Sequence, residues 1–206
     1  MECKKTGVKK PFRLEEIWRI RTRLELSNNL MELSLLNLAI DSKLRSSDLL
    51  SLTVSDVSSN FLSLTVSDVS SNFLVFNRVQ YVQKKTGNDV QFEITQRTQQ
   101  TLSHWIKDQE LQPKDYLFPS PRKPHQSLSY SYYRRIIRSW ALALGHNPDL
   151  YGTHSLRRTK ATLIYQKTKN IRAIQLLLGH TKIENTIKYL GVELEDALRL
   201  SEDIES

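Results

Sequence analysis

Residues 151–190 read YGTHSLRRTKATLIYQKTKNIRAIQLLLGHTKIENTIKYL, and this stretch decides the fold. Its pattern predicts a helix entered near His154 and running to about Lys167, and a second helix over Ile171–Leu178. Gly179 ends the second helix, because glycine readily adopts the left-handed backbone that closes a helix. A third short helix is predicted over Ile183–Tyr189. This part of the chain is therefore expected to be helical throughout.

Four side chains in this stretch could act on an anion. His154 and Arg157 are three positions apart, so on a helix they share one face and could grip a phosphate together. His180 lies in the connection after Gly179, and Tyr189 follows nine residues later. Each has a plain structural explanation when taken alone: a solvated His–Arg face, a cap at a helix end, and a half-buried packing tyrosine.

Two upstream patterns add further cations. A short helix after a break near Ser42 carries Arg45 and, three positions on, Asp48. Farther along, Phe73–Gln83 and Val90–Thr95 alternate in polarity and flank the segment KKTGND at 84–89. Alternation on both sides of a Gly-Asn turn predicts a β-hairpin, with Lys85 in its turn.

Taken in chain order, these residues resemble the tyrosine recombinase (phage integrase) family. The family motifs are matched by His154-x-x-Arg157, by Leu177-Leu178-Gly179-His180, by Tyr189 nine residues after that histidine, by Arg45 with Asp48, and by Lys85-Thr86-Gly87. The resemblance runs from about Pro11 to Leu190. It implies an α+β fold that is mostly α-helical, the catalytic domain of that family, with a small antiparallel β-sheet or hairpin.

The resemblance also implies roles in cutting and rejoining DNA. The catalytic set would be Arg45, Lys85, His154, Arg157, His180 and Tyr189, with Asp48 orienting Arg45. Tyr189 would attack the phosphodiester to form a 3′-phosphotyrosine, His154 would act as its acid–base partner, and Lys85 would protonate the departing 5′ oxygen. The two arginines and His180 would bind the phosphate oxygens. The family chemistry uses neither metal nor ATP, so no cofactor is expected.

The charge distribution favours double-stranded DNA as the partner. The formal net charge is +8, and residues 193–206 alone carry six acids against one base, so the remainder carries about +13. A predicted helix over Ser129–Leu144 contains Arg134, Arg135 and Arg138, which we expect to contact phosphates. Lys84, beside the catalytic lysine, is a further candidate. We expect the tyrosines of this helix to be mostly buried.

A tandem repeat interrupts the pattern between Arg45 and Lys85. Ser51–Leu62 reads SLTVSDVSSNFL, and Ser63–Leu74 repeats it letter for letter. A single perfect copy is unlike a solenoid, which needs three or more diverged units. Its Thr, Val, Phe and Leu residues favour strands, so one copy is expected to form extra strand and the other a loop. A displaced hairpin would misplace Lys85.

The domain organisation is expected to be simple. Residues 1–10 read as a flexible basic arm, 11–192 as the catalytic domain, and 193–206 as an acidic amphipathic tail that docks on a neighbouring protomer or on its own domain. The family's separate amino-terminal clamp is not seen in this sequence, and an accessory DNA-bending protein is a possible substitute. The family pattern implies a homotetramer acting on two DNA sites.

Other functions remain open from the sequence. Ile171–Leu190 also resembles a helix-turn-helix, which would make the protein a non-catalytic DNA-binding regulator. A recombinase relative inactivated by its repeat, or a type IB topoisomerase-like enzyme without site preference, would fit as well. The single cysteine, Cys3, excludes an internal disulfide and a thiolate metal cluster. No run of eighteen apolar residues predicts a membrane span, and a bacterial cytoplasmic location is expected.

Overall fold

The computed structural model describes residues 9–61, 72–123 and 125–190. The helices and strands follow in the order α1 (Leu14–Leu26), α2 (Leu30–Ser42), α3 (Ser46–Leu50), α4 (Val54–Val57), β1 (Ser58–Phe61), β2 (Asn72–Val75), β3 (Arg78–Val82), β4 (Asp89–Glu93), α5 (Gln96–Asp108), α6 (Tyr130–Ala143), a 3-10 turn (Pro148–Leu150), α7 (Thr153–Thr168), α8 (Ile171–Leu178) and α9 (Ile183–Leu190). The predicted mostly helical α+β fold is confirmed.

Helix α2 forms the centre of the core. Every residue from Leu33 to Ser42 is buried, and α2 packs against α1, α5 and α7. A helix that is apolar on nearly all sides must be covered on all sides, which explains this central position. Lys43 ends α2 in the left-handed conformation, with φ 54°, and Arg45 follows in extended backbone before α3. The chain reversal after α2 thus sets the position of Arg45.

The predicted hairpin exists, although its first strand is shorter than expected. The segment Phe73–Gln83 is broken at Phe76 and Asn77 into β2 and β3. Strand β3 pairs antiparallel with β4, with Gln80 opposite Gln91, whereas β2 pairs with β1. The described residues therefore hold two separate two-stranded sheets rather than one. The hairpin turn containing Lys85 lies between β3 and β4.

The first repeat copy is built into the core. Its Val54 and Val57 are fully buried in α4, and the Thr53 N–H donates to Asp56 Oδ2 at 2.7 Å, which caps that short helix. The last residues of both copies pair with each other, since Asn60 lies opposite Phe73 and Phe61 opposite Asn72. The prediction gave the strand to one copy and a loop to the other, whereas both copies contribute a strand, β1 from the first and β2 from the second, and the first also forms α4. Residues 62–71 lie outside the described residues.

A small second cluster holds the last two helices. Ala161, Ile174 and Leu178 are fully buried, and Ile164, Tyr165, Tyr189 and Leu190 pack against them. Helix α9 is therefore fixed on α7 and α8 by its apolar side, which includes Tyr189. No described helix has the length and hydropathy needed to cross a bilayer.

Two terminal predictions fall largely outside the described residues. Of the expected basic arm, only Lys9 and Lys10 are described. Lys9 Nζ donates to the Asp149 carbonyl at 2.6 Å, and the Lys10 N–H donates to the Leu150 carbonyl at 2.9 Å. The acidic tail, 193–206, lies entirely outside.

Candidate active site

The two predicted clamp arginines are joined through two acceptors. Arg45 Nη1 donates to the side-chain Oε1 of Gln83, the residue that follows β3. Gln83 Nε2 donates to the Leu178 carbonyl at 3.3 Å, and Arg157 Nη2 donates to the same carbonyl at 2.8 Å. The loop after α2, the hairpin, helix α7 and the end of α8 thus meet at one point. Positive charge from two distant parts of the sequence converges there.

Tyr189 lies against a pair of arginines. The Arg157 Cζ is 5.9 Å and the Arg158 Cζ 5.3 Å from the centroid of its ring. Its hydroxyl is buried and makes no hydrogen bond within the described residues. Burial raises the pKa of Tyr189 to about 12, and the charges of Arg157, Arg158 and Arg45 only partly oppose that rise. The phenol is therefore protonated at neutral pH, and activation requires a base or a move of the ring.

His180 is held beside Tyr189 by a residue of α9. The two rings meet edge to face at 5.5 Å between centroids, and His180 Nδ1 lies 3.1 Å from the Thr186 hydroxyl. Burial, with Arg157 and Arg45 nearby, lowers the pKa of His180 to about 4. The imidazole is therefore neutral near pH 7. In the tautomer whose Nδ1 accepts from the Thr186 hydroxyl, Nε2 carries the proton and can donate to a phosphate oxygen.

The peptide before His180 leaves no room for a side chain. Gly179 has φ +65°, and a Cβ built there would lie 2.5 Å from Val90 Cγ1 on β4. Its carbonyl accepts from Asn88 Nδ2 at 3.0 Å. Glycine is required by both the backbone angle and the close approach of the hairpin. This contact brings the lysine hairpin against the His180 segment.

His154 is exposed at the start of α7. Its pKa is lowered, first by partial desolvation and then by the charges of Arg157, Arg158, Arg45 and Lys85. His154 is thus neutral at pH 7 and able to accept a proton. Arg157, Arg158, Arg45 and Lys85 therefore all lie close enough to His154 to disfavour its charged form.

The hairpin turn holds Lys85 in an exposed position. The turn is anchored by the Thr86 hydroxyl, which donates to Gln83 Oε1 at 3.0 Å, and by the backbone N–H of Lys84, which donates to Asp48 Oδ1 at 3.1 Å. None of these contacts involves the repeat. The repeat therefore supplies neither of these two anchors of the Lys85 turn.

Asp48 has a different partner from the one expected. Among the described contacts it accepts from the Lys84 N–H rather than from Arg45, and its Oδ2 has no hydrogen bond. Asp48 is completely buried in the first turn of α3, where it faces the hairpin backbone. The side chain that receives Arg45 is Gln83.

The basic helix α6 begins beside the start of α7. The Thr153 hydroxyl lies 3.5 Å from the hydroxyl of Tyr130, the first residue of α6. Arg134 and Arg135 are exposed, and Arg138 forms an ion pair of 2.7 Å with Asp149. The three tyrosines differ, because only Tyr133 is fully buried, Tyr132 is half-buried under Arg135 and Tyr130 is exposed. The expectation that they are mostly buried is met by Tyr133 alone.

Three residues of the site were missed from the sequence. Arg158 could have been suspected from the Arg157-Arg158 dipeptide, and Thr186 from its position one helical turn before Tyr189. Gln83 offered no signal, since its partners lie 38 and 95 positions away. Among the described residues, no group of three or more His, Cys, Asp or Glu could hold a metal ion.

Comparison with known proteins identifies the family of this chain and several of its relatives. The family model described as "Phage integrase family" matches residues 11–195. The probable integrase/recombinase YoeC of Bacillus subtilis (strain 168) is 30% identical over 186 residues, which are 90% of each chain. A tyrosine recombinase of Pseudothermotoga lettingae is 31% identical over 174 residues, 84% of this chain and 54% of that protein.

Solved structures with this fold include a recombinase bound to DNA. The site-specific recombinase XerH in a pre-cleavage complex with its difH substrate superimposes with a TM-score of 0.66 at 20% identity, over 96% of this chain and 55% of XerH. The catalytic domain of bacteriophage HP1 integrase gives a TM-score of 0.57 at 18% identity, over 93% and 94% of the two chains. The chain thus spans about half of some relatives and nearly all of others.

Proposed function

This chain belongs to the phage integrase family, the tyrosine recombinases, and we propose that it cuts and rejoins DNA at specific sites through a covalent 3′-phosphotyrosine on Tyr189. The observation that carries the proposal is the convergence of Arg45 and Arg157 on Gln83 and the Leu178 carbonyl, beside the Tyr189 ring. The helix-turn-helix regulator is not favoured, since the side of α9 that includes Tyr189 packs into the protein.

The proposed reaction begins with the phosphate in the arginine cluster. Arg45 and Arg157 bind the non-bridging oxygens, and neutral His180 donates to one of them through Nε2. These donors stabilise the charge that grows on the phosphate as the fifth oxygen approaches. Because they are fixed before the substrate arrives, little reorganisation is needed during the reaction.

Proton transfers then balance the exchange of bonds. Neutral His154 accepts the Tyr189 proton, the phenolate oxygen bonds to phosphorus, and the bond from phosphorus to the 5′ oxygen breaks. Lys85 gives a proton to that 5′ oxygen, which leaves as a hydroxyl. The ester energy is kept in the phosphotyrosine, so a 5′ hydroxyl of another strand reverses the steps without ATP. The scheme assigns no step to a metal ion.

The remaining parts of the proposal concern DNA and assembly. Lys84 and the exposed arginines of α6 bind the phosphate backbone around the cut site. Four protomers act on two duplexes, with an accessory DNA-bending protein as a possible helper. Relatives from bacteria support action on DNA in a bacterial cytoplasm.

The test is covalent capture of DNA. Duplexes that bind the protein are selected from a random pool, nicked one to three nucleotides from the cut, and incubated with the wild-type protein. A protein–DNA adduct that survives boiling in detergent and is destroyed by protease supports the proposal. Salt-sensitive binding without any adduct would support a regulator instead. Relaxation of any supercoiled plasmid regardless of sequence would support a topoisomerase.

A further inference from the structure

We propose that Gln83 is a positioning residue that holds Arg45 in the geometry needed to bind the reacting phosphate. The inference rests on the proposed function and extends it to a residue outside the family motifs. Gln83 does not itself reach the phosphate in this scheme. It acts through the guanidinium of Arg45 and through the segment that carries His180.

The Gln83 side chain is buried and both of its ends are used. Only 1% of the residue is exposed. Its Oε1 accepts from Arg45 Nη1 and from the Thr86 hydroxyl, and its Nε2 donates to the Leu178 carbonyl. The orientation of the amide follows from chemistry, because a guanidinium has only donors and a carbonyl only lone pairs. Gln83 is therefore fixed by three contacts from three parts of the chain.

The Leu178 carbonyl transmits this order to the second arginine. It accepts from both Gln83 Nε2 and Arg157 Nη2. Arg45 and Arg157 are thus tied to each other through one amide and one carbonyl, with no direct contact between two positive charges. Without the amide, Arg45 would lose its described side-chain acceptor and would be free to turn away from Arg157.

The backbone of Gln83 serves the catalytic hairpin at the same time. Its N–H donates to the Asn88 carbonyl at 2.9 Å, and its carbonyl accepts from the Gly87 N–H at 2.8 Å. These bonds close the turn that contains Lys85. Gln83 therefore fixes the hairpin turn through its backbone and Arg45 through its side chain. A substitution of the side chain removes its contact with Arg45 and keeps the backbone bonds of the turn.

The first experiment compares Gln83→Met with Gln80→Met in single-turnover adduct formation. Methionine keeps the volume of Gln83 and removes its acceptor and donor. Gln80 is exposed on β3, three residues before Gln83, so it provides the matched control. We expect Gln83→Met to slow cleavage about 10- to 100-fold, with DNA affinity changed less than about 3-fold, and Gln80→Met to match wild type. Equal rates for Gln83→Met and wild type would overturn the proposal.

A double-mutant cycle distinguishes positioning from general destabilisation. Because Gln83 acts chiefly through Arg45, Gln83→Met should slow the residual rate of Arg45→Ala much less than it slows wild type. On the Lys85→Ala background, the full slowing remains. The same loss on the Arg45→Ala background would contradict the proposal. Should Gln83→Met fail to fold, Gln83→Asn keeps the amide but shortens the side chain by one methylene, which withdraws the acceptor from Arg45, and it must also slow cleavage.

A measurement without DNA keeps the two proposals separate. In the free protein, the side-chain N–H signals of Arg45 are assigned by nuclear magnetic resonance with the help of Arg45→Lys. We expect them to exchange slowly with water in wild type and Gln80→Met, and fast in Gln83→Met. If wild type forms no adduct but this difference holds, the proposed function fails while the positioning of Arg45 by Gln83 stands. If the signals are unchanged by Gln83→Met, positioning fails whatever the activity.

Discussion

Tyr189 lies in surroundings that oppose its own ionisation. Its hydroxyl is buried, and the nearby guanidinium groups do not fully compensate for the loss of water. A tyrosine with a pKa of about 12 is almost fully protonated at neutral pH, so it is a poor nucleophile in the free protein. Binding a phosphate in the arginine cluster changes those surroundings, so reactivity is expected to depend on the presence of DNA.

The pH dependence of cleavage should report His154. Its pKa lies below the ordinary value, so the neutral, proton-accepting form prevails at pH 7 and is lost as the pH falls through that lowered pKa. The second-order rate constant of adduct formation should therefore be flat near pH 7 and decline only in more acidic solution. His180, with a pKa of about 4, should not contribute above pH 5.

The control for this pH profile is His154→Gln. This variant should have a lower plateau, by about 10²- to 10⁴-fold, and no decline over the same acidic range. A decline that begins at or above pH 7, or one that persists in His154→Gln, would contradict the role of His154 as base.

At the scale of single residues, the sequence predicted those pairs of site residues whose spacing along the chain fixes their relative position. His180 and Tyr189 could be paired because nine residues separate them, and His154 with Arg157 because helical periodicity is fixed. The contact of Gln83 with Arg45 could not be predicted, since it depends on how a hairpin settles against a loop 38 positions away. The partner of Asp48 was missed for the same reason.

At the scale of elements, the junction of α8 and α9 depends on Gly179. We expect Gly179→Ala to destabilise the fold by about 2–4 kcal/mol, from the positive φ and from the clash with Val90 combined. The matched control is Gly145→Ala, which has φ +81° but no atom within 4 Å of the added Cβ, and it should cost only about 1 kcal/mol. Urea unfolding measures both values.

The two glycine variants should also differ in activity. Gly179→Ala should slow cleavage beyond its effect on stability, because it moves His180 relative to the hairpin. Equal destabilisation by both substitutions would show that the close approach of Val90 has no energetic consequence.

Helices and strands were predicted well where a pattern of apolar residues repeats over many positions. They were predicted poorly where pairing between separate segments determines the structure. Helix α8 has the bounds that its apolar pattern and Gly179 predict. The strand-rich composition of the repeat failed to predict α4, because Val54 and Val57 gain more from burial in the core than from a strand. The split between β2 and β3 could not be foreseen, since β2 pairs with β1, a strand of the first repeat copy, whereas β3 pairs with β4.

At the scale of the whole molecule, the repeat is the unusual feature. Deleting Ser63–Leu74 leaves six residues, 58–62 and 75, between Val57 and Phe76. These two residues lie side by side, because the Phe76 N–H donates to the Val57 carbonyl at 2.9 Å. A connection of that length closes readily, and a shorter loop changes the closure free energy by only about 0.6 kcal/mol per halving. Gln83, Lys84 and Asn88 lie outside the repeat, and so do the site residues to which they are hydrogen-bonded.

The deletion should therefore leave cleavage within about 3-fold of the full chain. Adduct formation and urea unfolding of the two proteins, compared side by side, measure this. An adduct formed by the deleted protein alone would show that the second copy inactivates the enzyme.

The proposed strand transfer depends on Tyr189 as the nucleophile, and one substitution tests this role most directly. Tyr189→Phe keeps the ring between Arg158 and His180 and removes only the hydroxyl. On the nicked duplex that traps wild type, this variant should bind DNA with nearly unchanged affinity and form no covalent adduct. An adduct formed by Tyr189→Phe would assign the nucleophile to another residue and contradict the account.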